Sequence, residues 1–164
     1  MRVTTVWTST DGLVWQRVAH DEAVFGGADR QSMESVTIGG PGLVAVGVDS
    51  GLYASAVWTS TDGLVWQRVP HDGAVFGDGD NKQWMRSVTV GGPGLVAVGW
   101  DDGRQAAAVW TSVDGITWQR VPHDETVFGG DFLQDMSSVA AGGPGLVAVG
   151  TDEDQNAAAV WISW

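Results

Sequence analysis

The chain has 164 residues, 43% of them hydrophobic, with mean hydropathy near zero, enough apolar material for a sizeable buried core. Twenty acidic side chains against eight basic ones leave a formal charge of −12, which repels phosphates and anionic headgroups, so neither nucleic acid nor membrane is expected as a partner. No cysteine is present, which excludes a disulfide frame and any thiolate metal site.

The opening residues carry no apolar signal core, and no stretch approaches the roughly 18 apolar residues that span a bilayer. As written, the chain is expected in the cytoplasm; repeats cut from a longer secreted parent are the other reading. Residues 6–18 read Val-Trp-Thr-Ser-Thr-Asp-Gly-Leu-Val-Trp-Gln-Arg-Val, return unchanged at 57–69 and return lightly edited at 109–121. Trp7, Trp58, Trp110 and Trp161 are spaced 51, 52 and 51 residues apart, a period long enough for one four-stranded unit. The chain therefore reads as one repeat domain, 1–164, with units 6–56, 57–108 and 109–159 and a partial fourth copy at 160–164.

The first copy opens on strands C and D, with residues 13–18 as strand D. In the middle copy, residues 85–90 form strand A, Gly91-Gly92-Pro93-Gly94 a turn and residues 95–99 strand B. Residues 107–112 follow as strand C, and the Asp114-Gly115 turn, a strong hairpin signal, leads into strand D at 116–121. The chain closes at 157–164 on another strand C. Runs such as Leu-Val-Ala-Val are apolar on both faces, as in sheets packed between neighbouring sheets. Helical periodicity is absent, so no helices are expected.

Ser9, Asp11, Gly12 and Trp15 recur as Ser60, Asp62, Gly63 and Trp66 and as Ser112, Asp114, Gly115 and Trp118. This pattern resembles the Asp-box (BNR) repeat of sialidase-type β-propellers, with one residue fewer between Asp and Gly. The resemblance implies four-stranded blades with the box in the turn between the third and fourth strands. It also implies a folding element far from any active site, so Asp11, Asp62 and Asp114 are expected to stabilise turns. The expected fold is an all-β propeller with blades of about 51 residues, three per chain. Three blades fall short of the four to eight that typically close a ring. The C-terminal A-B-C set needs a D strand and residues 13–18 offer one, so a homodimer closing a six-bladed ring head to tail is expected. A monomeric β-trefoil or β-prism is the alternative, since either fold is also built from three repeats of four strands.

The two ends of the unit differ. The Gly-Gly-Pro-Gly and Asp-Gly turns barely change between copies, whereas residues 28–34, 78–86 and 130–136 differ, as do 48–53, 100–105 and 151–156. A diversified end on a fixed frame is the pattern of a binding surface; drift in exposed loops produces it too. That end holds the aromatics outside the common pattern, Tyr53, Trp84, Trp100 and Phe132, beside Asp80, Asn81, Asp101, Asp102 and Arg104. Rings stack on sugar C–H faces while carboxylates and amides bond hydroxyls, so these nine residues are the candidate site of a lectin-like module. Its ligand is a glycan first and a protein second. Trp84 is the stronger candidate, read inside the loop that gained a residue in the middle copy; Trp100 also reads as inter-blade packing.

His20, His71 and His123 each precede an Asp, a temptation to read a metal site. They follow strand D at the rim and do not converge, so a structural role with Phe25, Phe76 and Phe128 is expected. The acidic clusters at 78–81 and 152–154 match no complete calcium loop. Neither metal nor cofactor is expected. Sialidase chemistry, which the resemblance raises, needs an arginine triad, a tyrosine nucleophile with its carboxylate and a catalytic acid. The Phe-Arg-Ile-Pro motif is missing, and Arg30, Arg86, Arg104 and Tyr53 match no family motif. The expectation is a non-enzymatic binding module, with a sialidase-like glycoside hydrolase or a purely structural repeat assembly as alternatives.

Overall fold

The Gly-Gly-Pro-Gly segments at 39–42 and 91–94 fold as tight turns between two long antiparallel strands in the computed structural model, which describes residues 4–27, 29–143, 145–153 and 157–163. The second glycine of the turn takes a left-handed φ, +57° at Gly92, a conformation open to glycine at no steric cost. The repeats become four antiparallel sheets in chain order: a hairpin of β1 (Trp7–Thr8) and β2 (Gln16–Arg17), two four-stranded meanders and a three-stranded sheet. The first meander is β3 (Gln31–Gly39), β4 (Gly42–Asp49), β5 (Ala54–Ser60) and β6 (Trp66–Arg68). The second is β7 (Gln83–Gly91), β8 (Gly94–Asp101), β9 (Ala106–Ser112) and β10 (Trp118–Arg120). The last sheet is β11 (Gln134–Gly142), β12 (Gly145–Asp152) and β13 (Ala157–Ser163).

The Ser-x-Asp-Gly turns fold alike in every copy. Asp62 Oδ1 accepts from the amides of Leu64 and Val65 at 2.8 and 2.9 Å, and Ser60 Oγ accepts from Gly63 N at 2.8 Å. Trp66 Nε1 then donates to Gly63 O at 3.0 Å, fixing the indole over its own turn. Asp114 with Trp118 and Asp11 with Trp15 repeat these bonds. Two backbone donors on one carboxylate favour its charged form. Asp11 and Asp62 are held below the usual carboxylate range, and Asp114 falls to about 2, through the amides of Thr117 and Ile116 first.

A bulge between Met85 and Ser87 bends β7 beside Gly99, where a Cβ would run into the carbonyl oxygen of Trp84. Gly47 and Gly150 face Ser32 O and Asp135 O in the same way, so the glycine is needed at this register in every sheet.

Successive sheets stack face to face. Val44, Val46 and Val57 of the first meander pack with Met85, Val88 and Leu95 of the second around Trp110 and Trp118. The interface between the second meander and the last sheet rebuilds this cluster with Val96, Val98, Met136 and Val139, and Trp58 and Trp66 lie at the first interface. Strand β5 is buried along its whole length, as its two apolar faces required. The first strands of the sheets neighbour one another, β7 lying against both β3 and β11. The fold is thus all-β, built of repeated four-stranded antiparallel sheets and propeller-like rather than a single barrel. It is open: among the described residues no strand pairing joins the first hairpin to the last sheet.

Three one-turn helices depart from the expectation of none: α1 (Glu22–Phe25), α2 (Gly73–Phe76) and α3 (Glu125–Phe128). Asp21, Asp72 and Asp124 cap them by accepting from the amide two residues on, a local bond that needs no periodicity. Each helix leads to the Phe expected to anchor the connection, and His20, His71 and His123 tilt against Phe25, Phe76 and Phe128 at 6.1–6.4 Å. Strand boundaries shift as well. Strand A of the middle copy begins at Gln83, while its strand D shortens to Trp118–Arg120 because the Asp114 turn takes up the residues before it.

Candidate functional site

The β4–β5, β8–β9 and β12–β13 loops lie at the same end of the sheets as the connections entering β3, β7 and β11. There the amide of Ser50 donates to Arg30 O, Asp102 to Lys82 O and Glu153 to Leu133 O. The end stands on a repeated buried base. Asp49 accepts from the amides of Gly51 and Leu52, meets Arg68 Nη2 at 2.7 Å and lies 3.5 Å from Gln31 Nε2. Asp101 accepts from Arg104 N at 3.3 Å and lies 3.7 Å from Arg120 Nη2. Gln134 donates to Asp152 at 2.8 Å in the last sheet. Burial pulls Arg120 below its ordinary value against the opposing pull of Asp101, and its guanidinium lies 4.9 Å from the Trp110 ring centre.

Asp101, read as a ligand residue, is thus a buried support for the loop above it. Trp84 lies in β7, not in the loop assigned to it, paired across the sheet with Trp100, ring centres 4.4 Å apart and planes at 58°. Both are half-buried, and neither indole N–H has a protein acceptor among the described residues. The same cross-strand position is Ser32 opposite Val48 in the first meander and Asp135 opposite Thr151 in the last sheet, so this register varies from copy to copy. Burial raises the Asp135 carboxyl against the lowering effect of Arg86, whose Nε is 3.7 Å away.

The loops at this end also bring the exposed Tyr53 together with the half-buried Lys82 and Asp102. Lys82 Nζ stands 5.2 Å from the centre of the Tyr53 ring, reaching from one sheet to the loop of the preceding one, and lies 3.5 Å from Asp102 Oδ2. Tyr53 and Gln105 hold matching loop positions, both with φ of +52°, a strained conformation for a residue with a side chain. Gln105 Nε2 donates to Asp102 O at 2.8 Å and shapes that loop. Asp80 and Asn81 are exposed on a turn organised by Asp78 Oδ1, which accepts from both their amides. Arg104 is exposed, its Nε 3.9 Å from Asp101. Phe132 is exposed on the connection into β11.

The structure therefore brings Tyr53, Lys82 and Asp102 together and Trp84 with Trp100, and moves Asp101 into the frame. Lys82 escaped the sequence reading although it is the only lysine of an acidic chain. The Gln–Asp–Arg base was legible as identical residues at equal spacing. Among the described residues no group of three or more His, Cys, Asp or Glu side chains is placed to hold a metal, and no helix is long and apolar enough to cross a membrane. No family model matches the sequence, and no curated protein is similar enough to it to serve as a relative.

Proposed function

We propose that the chain is a non-enzymatic binding module of the Asp-box propeller type, its ligand docking on the end that carries the variable loops. One observation carries this reading. The bonds of the Ser-x-Asp-Gly end repeat in every copy, while at the opposite end the exposed Tyr53 clusters with the half-buried Lys82 and Asp102 beside the buried Asp49 and Asp101. A repeated frame whose loops change from copy to copy at one end suits recognition. An aromatic ring with a cation over one face, and a carboxylate beside that cation, fits a polyol whose C–H face stacks on the other face of Tyr53 while hydroxyls at its edge bond Lys82 and Asp102; glycan is the first ligand class and a protein surface the second.

The test is a glycan array run with wild type, Tyr53→Ala and Lys82→Ala, alongside a fluorogenic sialoside assay. Binding lost in both variants at unchanged melting temperature supports the module. Turnover of the sialoside, or array binding that both variants retain, overturns the reading.

A further inference from the structure

A cavity of about 490 Å³ opens beside the packed contact between the second meander and the last sheet, and its walls match a filled core elsewhere in the molecule. Val96, Val109, Phe128, Met136 and Trp161 line it. One repeat earlier, Val44, Val57, Phe76, Met85 and Trp110 occupy the corresponding positions, and there the space is closed by Trp118, 5% exposed. Trp118 arrives on β10, which pairs with β9 through Trp118 and Ser112. Strand β13, the counterpart of β9, has no fourth strand beside it among the described residues.

The first hairpin carries a strand of matching sequence. Trp15 leads into β2, and its Nε1 donates to Gly12 O at 3.1 Å, the bond that Trp66 and Trp118 make in their own turns. Yet Trp15 is 59% exposed, against 6% for Trp66. Its partner strand β1 is held by two residue pairs and one further backbone bond, Val18 N to Val6 O, in a two-stranded hairpin of the kind that is marginal alone. The flanking sheet faces are complementary too. Val160 is 63% exposed where its counterpart Val57 is 1%, and Val36 is 58% exposed where Val88 is 5%. Val57 and Val88 belong to one inter-sheet core, so Val160 and Val36 are the two halves of the same contact left apart.

We propose that β2 of a second copy adds to β13 and seats its Trp15 in this cavity, with the partner's first meander covering the exposed face of the last sheet. By the register of β9 and β10, Gln16 then faces Ile162 and Arg17 faces Trp161. Strand β1 is displaced by β13, and the bond to Val6 O is replaced by one to Val160 O, as Val121 N bonds Val109 O at 2.9 Å. Backbone bonding is conserved in the exchange and apolar burial is gained. Each copy is both donor and acceptor, so two copies satisfy both junctions and give six sheets, within the range that closes a ring.

Multi-angle light scattering on the 164-residue chain at micromolar concentration tests this. Expected is twice the 17.2 kDa chain mass, with Trp15→Ala weakening the dimer about a hundredfold while the far-UV dichroism is kept. Trp7→Ala, on the displaced strand, leaves the dimer intact. In this cysteine-free chain, Gln16→Cys with Ile162→Cys yields an oxidised species that runs as a dimer without reductant. A monomeric wild type, a disulfide formed only within one chain, or a dimer lost in Trp7→Ala and kept in Trp15→Ala overturns the proposal. None of these readouts involves the loop-end ligand.

Discussion

Replacing Trp118 by alanine should create in the middle of the molecule the cavity that already exists beside the last sheet. The indole is 5% exposed and packs with Leu95, Met85 and Trp110 between the two meanders. A buried Trp removes about 150–250 Å² from water, which at about 25 cal/mol per Å² is about 4–6 kcal/mol. Truncations of buried Trp to Ala cost about 3–5 kcal/mol, of which the lost bond to Gly115 O accounts for about 1 kcal/mol. The expected loss is about 4 kcal/mol. Trp118→Phe keeps most of the apolar area and loses mainly the N–H bond and some volume, so about 1–2 kcal/mol is expected. Urea unfolding followed by far-UV dichroism measures both. If alanine costs less than about 1 kcal/mol, or if phenylalanine costs as much as alanine, packing of the indole is not what holds the sheets together and the account of the core fails.

The turn carboxylates give the fold an acid limit. Because the folded-state values of Asp11, Asp62 and Asp114 lie below the ordinary 3.8, their contribution is present above that value and is lost as pH falls towards about 2, the value for Asp114. Urea midpoints at pH 7, 4 and 2.5 should fall over the last interval, and Asp114→Asn should flatten that fall. Gly99→Ala drives a Cβ into the carbonyl oxygen of Trp84 and should cost at least about 2 kcal/mol, visible as a lower melting temperature; an unchanged melt means the bulge at Met85–Ser87 yields more easily than the backbone contact implies.

The strand order was legible because the signals that carry it are local and repeated. Asp-Gly and Gly-Gly-Pro-Gly punctuate each unit, and apolar runs on both faces of residues 95–99 and 107–112 announce sheets stacked on sheets. The helices were missed because four residues are too few to register a period and their cause is a single side-chain bond from Asp21, Asp72 or Asp124. Strand D was drawn too long at 13–18 because Leu13 and Val14, apolar and strand-like in composition, give their amides to Asp11 and never reach a ladder.

The site was legible only as an end of the molecule, and the reason lies in what repeats can encode. Comparing copies finds positions that differ, but a position can differ because a ligand selects it or because a sheet tolerates it. Trp84 and Trp100 differ from Ser32 and Val48, yet they answer each other across β7 and β8, so each substitution has a partner inside the frame. Asp101 was misread in the opposite sense. It occurs in every copy as Asp49 and Asp152 and belonged with the scaffold on the same comparison that marked the hairpin aspartates. Lys82, Tyr53 and Asp102 are different again. Tyr53 is unlike its counterpart Gln105, whereas Lys82 answers the cationic Arg30 and Asp102 the acidic Glu153; the three come from two successive sheets, and nothing within a single repeat pairs Lys82 with the Tyr53 ring, so the contact exists only once one sheet has been stacked on the next. A contact made only across a sheet junction can be changed without disturbing the repeat, and the contact of Lys82 with the Tyr53 ring lies at the junction between the two meanders.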